Sequence, residues 1–151
     1  MSTLQSDIAL AKGKLGVNGL KDPTQYQGTL HIATAVVDLG STLAANDIIE
    51  LCTIPAGSRV VSALSYAICH ADPGTTLTVD VGNSADTDRY ADGMVLSSGG
   101  VVNFLTPAIP ANITAPARLD ESTLIYATVA SANTITANSK ITFQIAYVTG
   151  N

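Results

Sequence analysis

IPAGSRVVSALSYAICHADPGTTLTVDVGNSADTDRYADG, residues 54–93, holds a Pro/Gly turn, two β-rich runs and an acid-rich segment closed by a second glycine. In Ile54-Pro55-Ala56-Gly57 the proline presets φ at the second turn position, and Gly57 tolerates the positive φ that a reversal asks for. From Arg59 to Cys69 the run puts Val60, Leu64, Tyr66 and Ile68 on one face and Val61, Ala63, Ala67 and Cys69 on the other. Apolar residues on both faces predict one strand in the middle of the protein. TLTVDVG then alternates at period two, with Leu77, Val79 and Val81 inward and Thr76, Thr78 and Asp80 outward. The acid-rich NSADTDRYADG reads as a loop.

The same period continues on both sides of this stretch. Upstream, Leu30, Ile32 and Thr34 alternate with His31, Ala33 and Ala35 in a run that reaches Leu39, and IIELCTI covers Ile48 to Ile54. Downstream, short strands are predicted at Met94–Ser97 and Val101–Leu105 across a Ser-Ser-Gly-Gly turn. The segment TPAIPANITAPARLDEST is proline-rich and reads as loop with a short edge strand at its centre, since proline cannot donate to a ladder. Ile109-Pro110-Ala111-Asn112 echoes the earlier Pro turn. Thr123–Ala130 and Lys140–Thr149 close the chain, the latter with Ile141, Phe143, Ile145 and Tyr147 on one face. About eight strands with no helices between them predict an all-β antiparallel sandwich, most simply an eight-stranded jelly roll. The competing immunoglobulin-like sandwich usually has a central Trp, and this chain has none.

Residues 1–27 differ in character. Lys12, Lys14 and Lys21 crowd a short span, and Gly13, Gly16 and Gly19 recur at intervals that would end a helix starting at Ser6 within about two turns. The expected organisation is an N-terminal arm over 1–27 and a sandwich domain over 28–151. Two readings of the arm stand side by side: a frayed terminus, or a segment that orders against a neighbouring subunit and buries Ile8, Leu10, Leu15, Val17 and Leu20.

With 151 residues the chain is sized for one core. Hydrophobic residues make up 46% and charged ones 13%, and the mean hydropathy is +0.31. That balance predicts apolar surface that meets another chain. A net charge of −5 with scattered Lys and Arg argues against a nucleic-acid partner. No apolar run reaches the roughly 20 residues a bilayer-spanning helix needs, and no secretory leader pattern is visible, so neither a membrane protein nor a secreted precursor is expected.

Few residues offer chemistry. His31 and His70 are the two histidines, and neither falls in a catalytic motif; no GxSxG, phosphate loop or HExxH occurs. His31 reads as a surface residue. Cys52 and Cys69 lie in apolar runs and read as reduced, buried thiols, with a cross-strand disulfide as the alternative. A zinc site from the two cysteines and two histidines lacks a usable close-spaced ligand pair. Asp86, Asp88 and Asp92, with Asp80 and Asn83 upstream, supply oxygens of the kind Ca²⁺ selects, but no further carboxylate follows until Asp120. The favoured reading is structural: Asn83, Ser84 and Asp86 form Asx-type turns, Arg89 pairs with an aspartate, and Tyr90 anchors the loop to the sandwich. No catalytic residue, cofactor or metal is expected.

The order of parts, IPAGSRVVSALSYAI, TVDVG, NSADTDRYADG, then short strands and ITFQIAYV, resembles the small β-sandwich proteins of tailed bacteriophages that decorate or cement the capsid. The resemblance runs from about residue 47 to 149. It implies a non-enzymatic virion protein on the outer surface of an icosahedral shell, assembled in the host cytoplasm. Its partners would be the major capsid protein, bridged between capsomers, and further copies of itself, in trimers before dimers. The alternative is a fibre- or tail-associated or carbohydrate-binding adhesion module, disfavoured by an aromatic content of 5% and the lack of Trp.

Overall fold

Period-two alternation carries through into the fold. The computed structural model describes residues 29–39, 43–70, 77–96, 100–106, 108–110, 117–131 and 139–149. The strands are β1 (Thr29–Leu39), β2 (Ile48–Ile54), β3 (Ser58–Val60), β4 (Tyr66–Cys69), β5 (Thr78–Asn83), β6 (Asp86–Val95), β7 (Gly100–Asn103), β8 (Thr123–Val129) and β9 (Ser139–Thr149). One sheet runs β1-β9-β4-β7 with β3 also on β9, the other β2-β8-β5-β6, and every pairing is antiparallel. Because β3 and β4 lie along the same side of β9, they act as one interrupted strand. The described residues then give eight strand positions, and the pairs β1 with β9, β2 with β8, β4 with β7 and β5 with β6 nest inside one another. That is one long hairpin rolled into two sheets, the jelly roll expected from the strand count.

Between the sheets lie Ile54, Leu77, Val79, Val81, Met94, Phe104, Ile125, Ile141, Phe143 and Ile145, all buried. Burying a side chain of this size stabilises by about 1.5–3 kcal/mol, so the inward-facing row of every strand contributes to the one core. The faces expected for TLTVDVG and KITFQIAYVT are the faces found: Leu77, Val79 and Val81 are buried, as are Ile141, Phe143 and Ile145. Gly57 takes φ +81° with Ser58 N–H donating to the Pro55 carbonyl at 3.3 Å, which closes the predicted turn. The second Pro turn, the Ser-Ser-Gly-Gly turn and the arm residues Ile8, Leu10, Leu15, Val17 and Leu20 lie wholly or partly outside the described residues.

Three expectations are corrected. The run from Arg59 to Cys69 is two strands separated by a 3-10 turn at Ser62–Leu64. The turn shifts the parity, so Val60, Ala67 and Cys69 face the core while Leu64 is 53% exposed. The break is sealed by Ser65, whose hydroxyl donates to the Val61 carbonyl and accepts from Ala146 N–H, both at 2.9 Å. A side chain there replaces the backbone carbonyl that an unbroken strand would offer β9. Second, Met94 and Val95 end β6 and form no strand of their own.

Third, the acid-rich stretch is not a loop but most of β6. Val79 pairs with Met94, Val81 with Ala91 and Asn83 with Asp86, so Thr87–Tyr90 stand opposite the single residue Gly82. This bulge packs the β6 backbone onto Gly82: a Cβ there would meet the Asp86 carbonyl oxygen at 2.1 Å and the Thr87 carbonyl carbon at 2.4 Å. Acidic and glycine-rich composition disguised a strand whose pairing depends on β5 having no side chain at that point.

Candidate functional site

The register assigns the outward-facing residues of the β1-β9-β4-β7 sheet to rows. Val36 is opposite Thr142, Thr142 opposite Ile68 and Ile68 opposite Val101, which makes one row across four strands. The next row is Thr34, Gln144, Tyr66 and Asn103, in which the Tyr66 hydroxyl donates to Gln144 Oε1. Beyond it Ile32 faces Ala146, and Leu30 faces Val148, which pairs on its other side with Arg59. At the opposite end Asp38 and Lys140 form an ion pair at 2.9 Å. Between Arg59 and that ion pair none of these rows carries a charge.

This face is open, with apolar residues exposed on either side of the polar row. Leu30 is 50% exposed, Ile32 56%, Val36 62% and Val101 67%. Isolated exposed apolar residues are normal, but several on one uncharged sheet face make a candidate interaction surface. The polar groups within it are mostly already partnered. Thr142 Oγ1 bonds His70 Nε2 at 2.9 Å, and Asn103 Nδ2 donates to the carbonyls of Ala63 and Ser65 at 3.0 and 3.2 Å. A partner can cover the face without leaving those groups unsatisfied.

The acid-rich residues sit on the other sheet. Asn83 Oδ1 accepts from Ala85 N–H and Asp86 N–H at 3.0 and 3.1 Å, the Asx turn read from the sequence. Tyr90 is buried; its hydroxyl receives Asn83 Nδ2 at 3.4 Å, and burial pushes its phenol above the ordinary value. Asp88 is raised above the usual carboxylate range, chiefly by a hydrogen bond with Asp86, then by desolvation and repulsion from Asp86 and Asp92. Asp80 Oδ1 accepts from Gly93 N–H at 2.7 Å, which holds the far end of β6. Arg89 lines an open cleft with Arg118, Asp120 and Glu121. Among the described residues no group of three or more His, Cys, Asp or Glu is placed to hold a metal.

The residues with chemistry are dispersed. His31 is exposed at the start of β1, stacked on Tyr147 with ring centroids 5.2 Å apart, and its Nε2 lies 3.0 Å from Thr149 Oγ1. Cys52 and Cys69 are not bridged to each other and lie on strands of opposite sheets, so the cross-strand disulfide is not formed. Burial pushes the Cys52 thiol up to about 11, so it stays protonated and unreactive near neutral pH. No helix among the described residues is long and apolar enough to cross a membrane.

The sequence reading missed the four-strand apolar row, although one signal for it was present. Leu30, Ile32 and Val36 alternate with Ala33, Ala35 and Val37, so both faces of β1 are apolar although β1 is at the sheet edge.

Two solved structures share the fold. One is a chain of the Cyanophage Pam1 capsid asymmetric unit, with a TM-score of 0.60 and 19% identity over 82% of this chain and 87% of that one. The other belongs to the capsid of Ralstonia phage GP4, with a TM-score of 0.59 and 22% identity over 83% and 86% of the respective chains. No protein-family model matches the sequence, and no curated protein does.

Proposed function

We propose that this chain is a virion structural protein of a tailed bacteriophage that binds the outer surface of the icosahedral shell and stabilises it by bridging capsomers. The observation that carries this reading is a fold shared over more than four-fifths of each chain with proteins from two phage capsids. The exposed apolar residues of β1-β9-β4-β7 support it, since a sheet face left for another chain segment to cover suits a protein that acts through contacts rather than chemistry. Its partners are the major capsid protein and further copies of itself, in trimers before dimers, and it acts without catalysis or cofactor. Residues 1–27 are its arm and 28–151 its sandwich. An acidic balance suits an outer surface away from the genome. Several modest contacts per oligomer would then add through effective concentration.

The test is addition of the purified chain to shells that lack it. Saturable cosedimentation, with a trimeric mass for the free protein, is expected. A monomer at micromolar concentration that leaves the shells undecorated would overturn the reading. Removal of residues 1–27 should leave a folded sandwich that no longer decorates.

A further inference from the structure

The open face of β1-β9-β4-β7 needs an occupant, and the chain itself carries a fitting one. We propose that residues within 1–28 dock onto this face and cover Ile32, Val36, Ile68 and Val101. The inference rests on reading the N-terminal segment as an arm, and it identifies the surface that receives it.

Three observations converge. The segment joins the sandwich at Thr29, the first residue of β1, which is the edge strand of this same sheet. Its reach is ample: the nine residues from Leu20 to Thr29 extend to about 30 Å, whereas four strands about 4.8 Å apart span roughly 15 Å. Its composition also fits. Ile8 and Leu10, and again Leu15 and Val17, are spaced two apart around small residues, so an extended backbone presents each pair on one side. The row of Val36, Thr142, Ile68 and Val101 and the row of Ile32 are uncharged and expose apolar side chains, and most polar groups of the row between them are already hydrogen bonded, so they suit such pairs better than they suit the lysines. The lysines at 12, 14 and 21 remain outward.

Those lysines make the proposal measurable, because trypsin cuts after each. In the full-length protein, cleavage after Lys12, Lys14 and Lys21 should be at least about tenfold slower than in a free peptide of residues 1–28, as expected when opening limits cleavage. Ile32→Gln together with Val101→Gln, both at exposed positions, should restore the peptide's rate with the circular dichroism melt unchanged. Leu15→Gln with Val17→Gln should do the same from the other side of the contact. Ile48→Gln, an exposed apolar position on the other sheet, should leave the rate alone.

Several outcomes would overturn the proposal. One is wild-type protein cut as fast as the peptide. A second is a face variant that falls apart into monomers without faster cleavage, which would assign the face to a second copy's sandwich. A third is faster cleavage only when Asp86 and Asp88 are changed to Asn, which would mean the segment is held by charge on the other sheet. None of these readouts involves shells, so failure here and failure of capsid decoration are separately visible.

Discussion

Glu50, Asp80, Asp86, Asp88 and Asp92 all belong to strands of the β2-β8-β5-β6 sheet, whereas the strands of β1-β9-β4-β7 carry Asp38 alone, already paired with Lys140. The two sheets share one core and have inward faces of the same character, so the difference lies in what they present outward. One surface carries most of the strands' carboxylates, and the other exposes Leu30, Ile32, Val36 and Val101 with no carboxylate but that of Asp38. Each sheet also has local irregularities, and the most pronounced in each is solved differently: β6 bulges over a bare glycine, and the break between β3 and β4 is bridged by a serine hydroxyl.

Substitutions at those irregularities sharpen the contrast. Gly82→Ala should have the largest effect, because the added methyl meets backbone of Asp86 and Thr87 that cannot move without unpairing β6. A loss of about 3 kcal/mol in urea unfolding is expected, the upper range for overpacking. A loss under about 0.5 kcal/mol would mean that the bulge is not held against β5.

Ser65→Ala comes next. It removes the acceptor for Ala146 N–H in a residue that is fully buried, and should cost about 1–2 kcal/mol. Hydrogen exchange at Ala146 should accelerate more than at its neighbours on β9; unchanged protection there would show that the hydroxyl does not close the break.

The smallest effect is on the acidic side. Asp88 has a raised pKa when folded, so it contributes stability below the ordinary carboxylate range, and that contribution is lost as pH rises through the folded value. Near neutral pH only repulsion from Asp86 and Asp92 remains. Asp88→Asn should therefore stabilise there by no more than roughly 0.5 kcal/mol, since the site is exposed and screened. The gain should fade on acidification or in high salt. A gain that grew toward low pH would contradict the hydrogen bond with Asp86.

Much of this architecture is legible residue by residue. Alternation in LTVDV and ITFQIAY identifies strands and their inward faces, because a pleated strand sends successive side chains to opposite sides. Pro55 and Gly57 identify the turn between β2 and β3. The Asx turn at Asn83 and the anchoring of Tyr90 follow from side chains that reach only a few residues along the chain. The break at Ser62–Leu64 was not legible, since VVSALSYAI alternates through it as an unbroken strand would. Nor was the strand character of Asp86–Val95, whose acidic residues and glycine mimic a loop.

By itself, then, the sequence determined the all-β class and the inward row of each clear strand, both of which depend on local periodicity. Tertiary structure alone decided that Val36, Thr142, Ile68 and Val101 form one row, that Gly82 lies under the β6 backbone, and that Ser65 completes a ladder for Ala146. The physical reason is that strand pairing joins residues far apart in the chain. Which apolar rows become neighbours, and so which face of the sandwich exposes them, is settled only when the long hairpin rolls up.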